Sequence, residues 1–256
     1  MERIVFWFLP ILAVGLFFWV ERKKLGKSQI AKRPYLSICL IELINFCLNL
    51  GLSYGLIFPL VNLYAPLQII SVMQLPLPLF ICITIAYLLI DFVYYFSHRA
   101  HHAIPALWRL HRLHHADEGL DTVTTLLHHP LETVTNFLIV TLFFVIFDIP
   151  VVFLIYYYVA QSIHAAWSHT HVLLPHTIDK WMRYLVVTPN MHRIHHSKDR
   201  LDGNRNFGGI LSIWDYLFGS YGINFNAQNT SNIFGVNHRE SLEHLTIKDF
   251  LLNPLK

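Results

Sequence analysis

Apolar residues fall in four long blocks, 4–20, 35–64, 67–90 and 134–159. The first carries no charge and approaches the roughly 20 residues that a membrane-spanning helix needs. A basic stretch follows it: Arg22, Lys23, Lys24, Lys27, Lys32 and Arg33. Short loops rich in Lys and Arg stay on the cytoplasmic side. A signal peptide is the other reading of 4–20, but its basic residues should precede the run, and no small-x-small cleavage site is evident. A retained helix is therefore expected. The second block places Glu42, Asn45 and Asn49 on one helical face, where intramembrane polar groups pair inside a bundle. The third has Pro76 and Pro78 near its start, and from Asp91 onward the chain is expected to emerge on the cytoplasmic side.

The fourth block is broken at Asp148, Ile149 and Pro150. Each half, at about 14 residues, makes roughly 21 Å of helix, short of the roughly 30 Å hydrocarbon core. A helical hairpin that enters and returns fits better than one span, and either a hairpin or two tilted spans brings His164 and His169 back to the side of His129. The pattern predicts an all-α integral membrane protein. Residues 1–90 would supply about three transmembrane helices. Residues 91–221 would form a catalytic region containing the membrane hairpin 134–159, with a helical cap on the cytosolic face carrying the histidines. Residues 222–256 would be a polar tail.

Composition supports a second solvent. The chain is 54% hydrophobic and 14% charged, with mean hydropathy +0.44, whereas soluble domains carry about 25% charged residues. Net charge is +3, and no basic stripe interleaved with aromatics appears, which excludes a nucleic-acid surface. Cys39, Cys47 and Cys82 lie in apolar segments and are read as buried small residues, not as a disulfide framework.

Histidine changes the picture most. Of the 17 histidines, all but His238 and His244 lie between His98 and His196. His98 and His102 are four apart, so on a helix both rings point one way. His111, His114 and His115 form HxxHH, and His192, His195 and His196 repeat it. Adjacent histidines diverge by about 100° around a helix, so they can serve different metals. Eight such imidazoles exceed the four ligands of one tetrahedral zinc, which makes two metals sharing a site the economical reading. His169, where the chain returns from the hairpin, is a further candidate ligand, with His129 and His164 behind it. Glu132 is placed to orient a ligand imidazole by accepting its second N–H. Imidazole alone leaves Zn, Cu, Fe and Ni open. Trp181, Phe207, Trp214, Tyr216 and Phe218 form either an interfacial aromatic belt or the wall of a substrate cleft.

The segments DFVYYFSHRAHH, LWRLHRLHHAD, HHPLE, WSHTH, TPNMHRIHHSKD and NRNFGGILSIWDYLFGSY together resemble the fatty acid hydroxylase superfamily, also called the sterol desaturase family, over about 91–221. The resemblance implies an integral membrane oxidoreductase that uses O2 to hydroxylate or desaturate a lipid-like substrate, whether sterol, fatty acyl chain, ether lipid or carotenoid. It implies two iron ions, with zinc conceivable in a purified form. It maps His98, His102, His111, His114, His115, His192, His195 and His196 onto family ligands, with His169 a further one. The chain departs from the family at Leu127, where arginine is frequent, and at His171, where asparagine is frequent. No flavin, haem or nicotinamide motif is visible, so an external reductase is implied, and oligomeric state is left open. A bacterial inner membrane and an endoplasmic reticulum both fit. A di-zinc hydrolase and a metal-handling membrane protein use the same imidazoles. Transport sites, however, lie near the bilayer midplane, whereas these boxes follow the spans.

Overall fold

The computed structural model describes residues 2–25, 34–52, 55, 69–222, 234–236 and 246–252. Lys27, Lys32, Arg33, most of the second block beyond residue 52, the start of the third at 67–68, His238, His244 and most of the polar tail lie outside the described residues. Those described are helical, joined by turns and two isolated bridges, Val186–Leu211 and Ser197–Phe234.

Eleven α-helices occur among the described residues: α1 Glu2–Leu25, α2 Tyr35–Leu52, α3 Leu79–Ala103, α4 Pro105–His115, α5 Pro130–Phe147, α6 Val151–Ser168, α7 His176–Met182, α8 Pro189–His195, α9 Arg200–Gly203, α10 Ile213–Leu217 and α11 Ile247–Leu252. Proline at the first helical position starts α4, α5 and α8, where its missing N–H costs nothing. Helix α1 packs on α6, α2 on α5, and α3 on α4, α5 and α6.

Among the described residues, helix α3 alone is long and apolar enough to cross a membrane; Tyr35–Asn49 and Pro130–Phe144 are shorter apolar stretches. The expected division at residue 90 falls in the middle of α3, which runs unbroken to Ala103. Asp91 follows that boundary directly. It is buried, and its carboxylate accepts bonds from Tyr157 Oη (2.7 Å), Trp214 Nε1 (2.7 Å) and the amides of Ile210 and Leu211. These donors offset part of the cost of burying a carboxylate and tie α3 to α6 and to the segment after α9.

The break in the fourth block is a helical hairpin. Asp148 takes the left-handed conformation (φ 45°, ψ 48°) and closes α5, and Pro150 precedes α6. Both helices outrun the apolar block 134–159. At 18 residues each they are about 27 Å long, and their polar ends reach the histidines.

The core has two parts. Ala86, Ile90, Val93, Phe137, Val140, Phe144, Leu154 and Tyr157 pack α3, α5 and α6 together. Ile38, Ile41, Leu113, Val123, Leu127 and Phe250 pack α2, α4 and α11 around the turn at 122–126. Large apolar side chains also face outward, including Phe8, Leu12 and Leu16 on α1, Leu36 and Leu43 on α2, Phe80 on α3 and Leu142 on α5. Cys82 is buried as expected, but Cys39 and Cys47 are exposed, because they lie off the α2 face that Ile38, Ile41 and Asn45 turn inward.

Candidate metal centre

Nine imidazoles converge from the ends of the helices described above. His98 and His102 lie on the last turns of α3, His111, His114 and His115 on α4, His169 at the C-terminus of α6, and His192, His195 and His196 on and just after α8. They form two groups. In one, His98, His102, His111, His115 and His195 place one ring nitrogen each within 4.8 Å of one another; His114, His169, His192 and His196 do the same in the other. The rings of His115 and His196 stack at 4.4 Å and join the groups.

The HxxHH spacing accounts for this division. On α4, His111 and His115 share a face and enter the five-histidine group, while His114 turns about 100° into the other. On α8, His192 and His196 enter the four-histidine group and His195 turns into the first.

The closest contacts are between Nε2 atoms: His98–His111 3.2 Å, His111–His115 3.1 Å, His114–His169 3.1 Å, His169–His192 3.0 Å and His192–His196 3.2 Å. These are not all hydrogen bonds. Nδ1 of His114 donates to the Thr124 carbonyl (3.2 Å) and Nδ1 of His169 to the Ala165 carbonyl (2.8 Å). Burial, followed by neighbouring imidazoles, holds His114 far below the ordinary histidine range; burial lowers His169 to about 3. Two neutral rings that carry their protons on Nδ1 oppose bare lone pairs at Nε2. The same arrangement holds His98, whose Nδ1 meets the Phe207 carbonyl at 2.9 Å, and His195, whose Nδ1 meets the Arg205 carbonyl at 2.7 Å. Nε2 of His102 and of His195 is buried without a hydrogen-bond partner. Burial also lowers His195 to about 3, and burial with neighbouring imidazoles holds His115, His192 and His196 well below their usual range.

Converging lone pairs repel, and each unsatisfied buried group costs about 1–3 kcal/mol. A cation in each group removes both penalties. Nitrogens 3.0–3.2 Å apart could share one metal at metal–nitrogen distances of about 2.0–2.1 Å. The donor set fits a borderline metal that accepts imidazole.

Glu132 sits beside the five-histidine group. Its Oε1 accepts from His111 Nδ1 at 2.8 Å and contacts His128 Nδ1 at 3.0 Å. Burial opposes charge on His128, but Glu132 outweighs it and raises the imidazole above its usual range. His128 also stacks on His114 at 4.4 Å. His129, the sequence candidate, turns away. As the N-cap of α5 it accepts from the Leu131 amide through Nδ1, and its Nε2 contacts the Leu251 carbonyl. His164 packs edge-on to Trp167 and joins neither group. His101 bonds the Ser97 carbonyl and the Thr135 hydroxyl.

Of the five aromatic candidates, Phe207 is buried against His98, His102 and His195. Trp214 is tied to Asp91, Phe218 stacks on Tyr95, Tyr216 stacks on Tyr221, and Trp181 is 69% exposed. Asp215 holds the amides of Phe207 (2.8 Å) and Gly208 (2.9 Å), fixing the carbonyl that orients His98. Gly209 lets this backbone approach closely: a Cβ there would lie 2.8 Å from Tyr94 and 3.2 Å from Gln161.

A cavity of about 50 Å³ borders both groups, lined among others by His98, His114 and His192 and by Tyr94, Asn136 and Gln161. Sequence reasoning missed those three polar residues. Their signal is polarity inside apolar helices.

The sequence profile of the fatty acid hydroxylase family matches residues 83–220, just over half of the chain and all nine clustered histidines. The chain belongs to the fatty acid hydroxylase family. It is 29% identical to the alkylglycerol monooxygenase of Homo sapiens over 153 residues, 60% of this chain and 32% of that protein. It is 27% identical to the enzyme of the same name from Danio rerio over 173 residues, 66% of this chain and 36% of that protein. It is also 27% identical to the ornithine lipid hydroxylase OlsE of Rhizobium tropici over 145 residues, 56% and 43% respectively. The chain thus spans about a third of the length of the alkylglycerol monooxygenases. No solved structure matches it.

Proposed function

We propose that this chain is a membrane-embedded, O2-dependent oxidoreductase that hydroxylates a C–H bond of a lipid. The observation that carries the reading is the pair of nitrogen-only groups, five and four imidazoles joined through the stacked His115 and His196. His98, His102, His111, His115 and His195 would hold one iron, and His114, His169, His192 and His196 the other. Bound iron supplies O2 activation and oxidation of an unactivated C–H bond, chemistry that belongs to the cofactor.

The protein supplies orientation and exclusion of water. Glu132 and the carbonyls of Phe207, Thr124, Ala165 and Arg205 hold Nδ1 protons, which leaves Nε2 free to take a metal. Tyr94, Asn136 and Gln161 give the cavity polar walls. The relatives named as hydroxylases and monooxygenases favour hydroxylation over desaturation and an alkylglycerol or an ornithine lipid as the substrate class. Electrons would come from a separate donor.

In the membrane, α1, α2 and α3 would span, the α5–α6 hairpin would enter and return, and the histidine cap would face the cytoplasm beside Arg22, Lys23 and Lys24. Residues 91–221 would form the catalytic region and 222–256 a tail. The outward apolar side chains of α1, α2, α3 and α5 support this placement, because monomeric soluble proteins rarely expose contiguous apolar patches beyond a few hundred Å².

The test is iron-loaded protein in lipid nanodiscs, given a reductant, 18O2 and an alkylglycerol or an ornithine lipid. Label from 18O2 in the lipid product supports the reading. Reductant- and O2-independent hydrolysis of either lipid by zinc-loaded protein would replace it.

A further inference from the structure

A cavity of about 50 Å³ beside the histidines has room for one or two water molecules, not for a lipid chain. The chain must lie elsewhere while one carbon is oxidised. A second cavity of about 360 Å³ lies between α3 and α5, walled by Phe92, Val93, Phe96 and Ala100 of α3 and Ile139 and Phe143 of α5, with Ser97 its one polar residue. From Phe92 to Ala100 it follows eight helical steps, about 12 Å.

The two cavities meet at one hydrogen bond. Ser97 lines the apolar groove, Asn136 lines the histidine cavity, and Ser97 Oγ donates to Asn136 Oδ1 at 2.5 Å. Ser97 also immediately precedes His98. Phe96 of the groove is an exposed apolar side chain, as are Leu138 and Leu142 on the outer face of α5, which the proposed topology turns toward lipid.

We propose that the alkyl chain of a lipid substrate docks in the α3–α5 groove and reaches the histidines past the Ser97–Asn136 pair, which acts as a latch. The proposal rests on reading the histidine cavity as an oxidation site. A hydrocarbon chain is the occupant because the groove is apolar along its length and polar only where it meets that cavity.

The experiment uses the full chain in phosphatidylcholine nanodiscs with a single-chain alkylglycerol carrying a diazirine on its alkyl chain. Photolabelling needs neither metal turnover nor O2. Label should concentrate on the Phe92–Phe96 and Phe143 peptides. Ala100→Trp should fill the groove and lower that label about tenfold, the loss of roughly 1.4 kcal/mol of binding, with metal content unchanged. Leu142→Trp, which adds the same bulk on the outer face of α5, should leave labelling intact. Asn136→Ala opens the latch and should shift label onto the Tyr94 and Gln161 peptides, which keeps the test alive should Ala100→Trp fail to fold. Label spread evenly over α1 and α2, or unchanged in a folded Ala100→Trp protein, overturns the proposal. Groove labelling without any O2-dependent product would sink the oxidation reading alone. Oxidation indifferent to Ala100→Trp would sink the groove alone.

Discussion

The same HxxHH spacing occurs on α4 and α8, yet the two groups it feeds differ in number and in exposure. The five-histidine group draws on α3, α4 and α8, and its His98 and His102 are only half-buried. The four-histidine group draws on α4, α6 and α8, and every member is buried. Each box gives two histidines to one group and its middle member to the other, so each helix is committed to both. The difference teaches that the open group is anchored by the long apolar helix α3, whereas the closed one needs the returning hairpin helix α6. Helices α4 and α8 alone complete neither.

The largest expected effect comes from removing the middle members. His114→Ala should empty the closed group and His195→Ala the open one, each abolishing O2-dependent turnover. Metal analysis of both variants checks this, and retention of full metal and full activity in either would break the division. A smaller effect is expected at Glu132. In Glu132→Gln the amide oxygen can still accept from His111 Nδ1 without the charge. Changes to such supporting groups typically cost about 10–100-fold in metal affinity or activity, and metal titration should place this loss in the open group alone.

Acid should separate the metal-free protein from the loaded one. Histidine in an unfolded chain titrates near 6.5, whereas burial lowers His169 and His195 to about 3 in the fold. Below about pH 6.5 the unfolded chain therefore binds more protons, and the stability of the metal-free fold should fall as pH falls through that range. Bound metal should push the onset lower, since protons must displace it. Thermal unfolding of both forms across this window is the check; coincident curves would contradict it. The smallest effect is expected from Gly209→Ala. Its Cβ would press on Tyr94 and Gln161, a destabilisation of about 1–3 kcal/mol with reduced turnover and unchanged metal content.

The nine clustered histidines were legible because helical spacing determines which rings share a face. His169 was legible from the place where the hairpin must return. What held the rings was not: the carbonyls of Phe207, Thr124 and Arg205 carry no side-chain signal, and contacts such as His98 with Phe207 cross more than a hundred residues. In His128-His129-Pro130 the sequence drew attention to His129, and the structure turns its neighbour toward the clustered histidines. Proline at the first helical position makes the residue before it the cap, so His129 serves the α5 backbone while His128 faces Glu132. The partners of Asp91 were not legible either, because its four donors come from α6 and from residues 210–214, which local pattern cannot supply.

The most direct measurement is the metal content of the detergent-purified chain by elemental mass spectrometry, before and after anaerobic iron loading. About two irons per chain, falling to about one in either His114→Ala or His195→Ala, is the predicted result from a coordination shell filled by four or five protein ligands. A folded chain that holds no iron after loading would contradict the account.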